Sequence, residues 1–190
     1  MIERSPLFKN WGLCRTSNNK ILDAIALTYT NAYSDNGLNH GTGSLLSNLS
    51  GRAISSNSYG IEANFKINNG LQLDSWVAYM NARAVTGAVR GDADVWTYAA
   101  TLAFPDLFKK GSLGGIIVGM EPKLTGSDRL LSGLVRRSDA DTGLHIEAFY
   151  RYSVNNNISI TPAIIWLTAP NHNDGNDDII VGVIRTTFSF

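Results

Sequence analysis

Residues 178–190, Asp-Ile-Ile-Val-Gly-Val-Ile-Arg-Thr-Thr-Phe-Ser-Phe, alternate in character and finish on an aromatic residue. Counting back by twos from Phe190 gives Phe188, Thr186, Ile184, Gly182 and Ile180. The other parity holds Ser189, Thr187, Arg185, Val183 and Val181. A period of two places the two sets on opposite faces of a strand. Thirteen residues exceed the roughly 9–11 that a tilted strand needs to cross a bilayer. The terminal strand of a soluble sandwich alternates in the same way, so this segment alone leaves both readings open.

The same alternation recurs along the chain. In residues 23–33, Ile25, Leu27 and Tyr29 oppose Ala24, Ala26, Thr28 and Thr30. Tyr59, Ile61, Ala63, Phe65 and Ile67 oppose Gly60, Glu62, Asn64 and Lys66. After the turn Asn68-Asn69-Gly70, whose residues suit positive φ, come Leu71, Leu73, Val77 and Tyr79. Further strands are expected over 96–104, 113–120, 144–152 and 158–166, before the last. That makes about eight, joined by long connections beginning near residues 34, 82, 121 and 169 and short ones near 68, 105 and 155. Long loops gathered at one end and short turns at the other are a habit of bacterial outer-membrane barrels that a soluble sandwich has no reason to share. The expected fold is all-β, an antiparallel transmembrane β-barrel.

The chemistry of the two faces agrees. One face carries aliphatic residues in mid-strand and aromatic ones near the ends: Tyr59, Tyr79, Trp96, Phe104, Tyr150, Tyr152, Trp166, Phe188 and Phe190. Such rings favour the membrane interface. The other face carries Glu62, Lys66, Asp74, His145, Glu147, Arg151 and Arg185, expected to line a water-filled lumen, with Trp76 and Phe149 on the same side. In a soluble sandwich these charges would face solvent over an apolar core, and Arg151, Arg185 and Glu147 could simply pair with one another. Pro162, lacking an N–H, predicts a bulge.

Sixteen basic and sixteen acidic residues cancel, which offers no field for nucleic acid. No run approaches the 18–20 consecutive apolar residues of a spanning helix, and the single Cys14 excludes a disulfide framework. His40, His145 and His172 lack metal-ligand spacing. His40-Gly-Thr-Gly lacks the strand–helix context of a phosphate loop, and the oxygen-rich 171–178 segment misses the EF-hand register. Neither a catalytic constellation nor a cofactor is expected. The N-terminus has no basic-then-apolar leader, so an exported protein with this sequence is expected to be a fragment. Residues 1–20 read as irregular, with residues 11–15 the remnant of a strand.

Residues 158–178 (Ile-Ser-Ile-Thr-Pro-Ala-Ile-Ile-Trp-Leu-Thr-Ala-Pro-Asn-His-Asn-Asp-Gly-Asn-Asp-Asp), with the Thr-Thr-Phe-Ser-Phe ending, strongly resemble the C-terminal end of the carbohydrate-selective porins of the OprB type. The likeness is to their cyanobacterial branch, often called iron uptake porins. Tyr29 to Tyr33, Phe104-Pro-Asp-Leu-Phe and Phe149-Tyr-Arg-Tyr resemble the family too, so the likeness covers residues 21–190. It implies the C-terminal half of a barrel of about sixteen strands that passes carbohydrates or inorganic ions, iron included, down their gradients. It also implies outer-membrane lipid as surroundings, insertion machinery that reads the Phe190 strand, and a homotrimer as one common porin assembly. Residues 121–141, with Arg136, Arg137, Asp139 and Asp141, form a loop that could fold inward as a constriction. Rival readings are a small closed eight-stranded barrel serving as anchor or adhesin, a soluble β-barrel that binds a ligand, and a truncated, non-functional remnant.

Overall fold

The computed structural model describes residues 10–15, 22–38, 40–85, 90–128 and 137–190. Nine strands form one antiparallel sheet in which each pairs with its neighbours in the chain. They are β1 (Asn10–Arg15), β2 (Leu22–Ser34), β3 (Ile54–Asn68), β4 (Leu71–Ala84), β5 (Gly91–Pro105), β6 (Leu113–Ser127), β7 (His145–Ser153), β8 (Ile158–Leu167) and β9 (Ile179–Phe188). The order is linear, so β1 and β9 are open edges among the described residues. The strand remnant expected at 11–15 is a short paired strand, which raises the count from eight to nine.

Several boundaries differ from the expected ones. β3 begins at Ile54, five residues before Tyr59, and β6 runs on to Ser127, so Glu121 to Ser127 are strand rather than loop. β4 and β5 extend until Arg83 pairs with Asp92, which shortens the connection between them to residues 85–90. That is shorter than the 106–112 turn at the other end, so loop length does not alternate strictly. Polar residues in these extensions hid the strands, because cross-strand amide and ion-pair partners satisfy them where the apolar pattern has stopped. β9 ends at Phe188, leaving Ser189 and Phe190 beyond the ladder. Pro162 makes no bulge: β7 and β8 pair at Phe149↔Ala163 and again at Tyr152↔Ile160 in unchanged register, and Pro162 stays opposite Ile184 of β9. Its missing N–H leaves a gap in one ladder without a slip.

Register fixes which residues share a face. The row Tyr29, Tyr59, Tyr79, Trp96 crosses β2–β5, with ring centroids 5.3, 6.4 and 4.9 Å apart. The Tyr29 hydroxyl donates to Asn57 Oδ1 at 2.8 Å and the Tyr79 hydroxyl to Asp94 Oδ1 at 2.6 Å, both toward the 35–53 end. Trp166 Nε1 donates to Asp178 in the same direction at 2.9 Å. Above this row stand Asn31, Asn57, Asn81 and Asp94, then the Arg83–Asp92 pair.

At the opposite end the tyrosines point the other way. Tyr150 donates to the Leu107 carbonyl at 2.8 Å, and Lys109 reaches both the Tyr152 hydroxyl and its ring face. Between the two aromatic levels the face is apolar: Ile61, Val77, Tyr98, Leu102, Ile116, Ile160 and Ile164 are all exposed. From Trp96 to Phe104 is eight residues of β5, roughly 27 Å of strand. At the usual tilt that is roughly 20 Å of height, close to the apolar band of a membrane barrel.

Candidate functional site

The other face of the sheet is polar, and its central feature is a loop that lies on it. Residues 35–53, between β2 and β3, reach across to β6. Leu49 is fully buried in one cluster with Ile54, Ala82, Ala84, Ala93, Val95 and Leu124, and Leu38, Leu46 and Met80 pack against the cluster. All six wall residues lie on the polar face at the end of β3–β6 nearest this loop. Burying leucines there is worth roughly 1.5–3 kcal/mol each, which outweighs leaving the loop in water.

Two glycines permit the approach. Gly43 has φ +85, and a Cβ there would run into the Pro122 carbonyl; Gly37 has φ +78 against the Asn48 carbonyl. The loop then bonds to three separate elements. Gly43 N–H donates to the Glu121 carboxylate at 3.2 Å, and Ser44 N–H donates to the Pro122 carbonyl at 3.1 Å. The Ser44 hydroxyl donates to Asp139 at 2.7 Å, and Leu45 N–H donates to Asn171 Oδ1 at 2.6 Å. The inward-folded loop is therefore 35–53. Of the expected 121–141 candidate, Asp139 helps to hold this loop, and residues 129–136, Arg136 among them, lie outside the described residues. His40, near the loop's tip, has a buried Nε2 that meets no hydrogen-bond partner among the described residues. Burial holds its imidazole below the ordinary histidine value, against a hydrogen bond to the Ser47 backbone that raises it.

Below the loop, register sets Glu62, Trp76, Ala99, Gly119 and His145 side by side across β3–β7. Trp76 is large and 42% exposed; its next two neighbours are the smallest side chains available. Gly119 is obligatory, since a Cβ there would sit 2.8 Å from the Ala99 methyl. The result is a trough about three strand spacings wide, roughly 14 Å, with Trp76 at one side and His145 at the other. Its cavity of about 300 Å³ is lined by Thr42 of the loop tip, Trp76, Thr97, Ala99, Glu121 and His145. His145 stands between two carboxylates, Nε2 at 3.3 Å from Glu147 and Nδ1 at 3.8 Å from Glu121.

The remaining candidates from the sequence lie elsewhere on this face. Glu62 is exposed on the same row, and Asp74 is hydrogen-bonded by Asn64. Lys66, Arg151 and Arg185 are exposed near the short-turn ends of β3, β7 and β9. Among the described residues neither arginine makes an ion pair, so the mutual pairing with Glu147 does not form. The ring of Phe149 occupies the space that a Cβ at Gly115 would take.

One face of the sheet is thus apolar between two outward-pointing aromatic levels, and the other is polar and carries an inward loop. The family of carbohydrate-selective porins, OprB, matches residues 8–190. The chain belongs to the OprB porin family. An uncharacterized protein of Nostoc sp. (strain PCC 7120) is 37% identical to it over 179 residues, covering 88% of this chain and 29% of its own. An uncharacterized protein of Synechocystis sp. (strain PCC 6803) is 34% identical over 188 residues, covering 87% and 34%. The chain spans about a third of the length of these relatives. No solved structure matches it.

Within this OprB segment the pattern of alternation separated the aromatic residues of one face from the charged residues of the other. It missed Tyr29 as the start of the upper aromatic row, and Glu121 and Asp139 as the loop's anchors. The signal for the inward loop was present: Leu38, Leu46 and Leu49 sit in a stretch otherwise rich in Gly, Ser and Asn.

Proposed function

We propose that this chain is part of the wall of an outer-membrane porin that lets small hydrophilic solutes diffuse through a water-filled lumen narrowed by residues 35–53. The observation that carries the reading is the pair of aromatic levels whose hydroxyls point apart across an apolar band, backed by a charged face. Rings of charge in a pore select what passes. The Trp76 shelf, with Thr42, Thr97, Glu121 and His145 around it, suits a sugar ring, whose apolar face stacks on an aromatic while its hydroxyls find polar partners. Glu62, Glu121 and Glu147 favour inorganic cations, iron among them, over anions. The open edges β1 and β9 support a barrel completed by further strands, of which this is the C-terminal portion.

Outer-membrane lipid covers the apolar face, the β9 strand ending at Phe190 is the segment read by the insertion machinery, and a homotrimer is the assembly proposed. The test is solute entry into lipid vesicles holding the complete barrel of which this chain forms part of the wall. Swelling with small sugars that falls off steeply with solute size supports the reading. Vesicles that stay as tight as protein-free ones refute it.

A further inference from the structure

The geometry points to Asp139 as the positioning residue that sets the bore of the pore, by clamping residues 35–53 to the wall; this rests on the porin reading above. Asp139 is 6% exposed. Its N–H donates to the Leu124 carbonyl at 2.8 Å, and its Oδ2 accepts the Leu124 N–H at 2.7 Å. Those two bonds fasten the residue to β6 as a strand partner would. The same Oδ2 accepts the Ser44 hydroxyl at 2.7 Å. Ser44 is itself wholly buried, and its Oγ also accepts the Ser47 N–H at 2.9 Å, which caps the turn carrying Leu46 and Leu49 into the wall.

One carboxylate oxygen thus ties β6, the β6–β7 loop and the inward loop together. Of the other side-chain hydrogen bonds that hold the loop, the one from Leu45 to Asn171 is exposed and the one from Gly43 to Glu121 is long. Removing the carboxylate strands two buried donors, the Ser44 hydroxyl and the Leu124 amide. That is the costly way to lose a hydrogen bond.

Both donors reach a single oxygen, so the amide oxygen of Asp139→Asn can serve them, whereas Asp139→Ala and Ser44→Ala cannot. The charge is dispensable and the acceptor is not. The test places spin labels at Thr42→Cys on the loop tip and Thr101→Cys on the β5 wall, with Cys14→Ser, in the full chain reconstituted in lipid. A short, narrow distance distribution is expected for the parent and for Asp139→Asn. A longer, broad one is expected for Asp139→Ala and for Ser44→Ala, with heat-modifiable gel mobility retained. Larger solutes then enter vesicles holding the alanine variants.

An unchanged distance distribution in both alanine variants overturns the clamp. A released loop with an unchanged size limit for solutes overturns the assignment of bore to Asp139, while parent swelling upholds the porin reading. If the parent passes no solute, the porin reading fails alone, because the distance measurement needs no transport.

Discussion

Leu49→Ala isolates the hydrophobic half of the loop's attachment. The side chain is completely buried between the loop and six wall residues, and the loop carries only two further apolar groups, Leu38 and Leu46, into that contact. A Leu→Ala change at such a site costs about 2–5 kcal/mol. The sheet ladders do not involve Leu49, so the loss falls on docking of residues 35–53 rather than on the barrel wall. At tenfold per 1.4 kcal/mol, the undocked population rises roughly 30- to 4,000-fold. Hydrogen exchange of the chain in lipid reads this directly. Amides bonded in the docked state, Gly37, Leu38 and Ser44, exchange faster by that factor, while those of β4 and β5 keep their protection. Equal exchange of residues 35–53 in parent and variant would refute the packing argument. Equal acceleration across β4 and β5 would refute the claim that loop and wall are separable.

Gly43→Ala meets both a positive φ and the Pro122 carbonyl, so it releases the loop tip at a cost of about 1–2 kcal/mol from the backbone alone, seen as faster exchange at Ser44. Because burial lowers the His40 pKa, the undocked loop binds the proton more readily, so docking is strongest above the ordinary histidine value of about 6.5. It weakens as the pH falls from there toward the lowered value, and His40→Asn removes that pH dependence of exchange. Replacing Glu121 and Glu147 together by Gln lowers the cation-to-anion permeability ratio, measured as a reversal potential, without changing the size limit. Tyr79→Leu keeps the apolar bulk but breaks the hydrogen bond to Asp94, and costs on the order of 1 kcal/mol of unfolding stability in lipid.

What was legible in the sequence follows from what a period of two can encode. Wherever one face is apolar and the other polar, as from Tyr59 to Lys66 or Ile146 to Arg151, alternation gave the strand and its facing. It stopped being informative above the aromatic row, where Asn81, Arg83, Asp92 and Asp94 are paired across strands rather than sorted by polarity. The trough could not be read from one strand at all. Trp76, Ala99, Gly119 and His145 are unremarkable in their own segments and become neighbours only through register. Loop 35–53 read only as a long connection because composition counts its glycines and serines. Yet the glycines allow close approach to Pro122, and Ser44 and Ser47 are buried and bonded.

The measurement that bears most directly on the account is single-cysteine accessibility along β5 in lipid vesicles, with Cys14→Ser as background. Ala99, Thr101 and Ala103 lie on the polar face, and Tyr98, Ala100 and Leu102 on the apolar one. Cysteines at 99 and 101 are expected to react with a membrane-impermeant thiol reagent, and one at the buried position 103 more slowly. A fluorophore at 98, 100 or 102 is expected to be quenched by brominated lipid. Reaction at all six positions, with no quenching at any, would contradict a wall that stands between lipid and a water-filled pore.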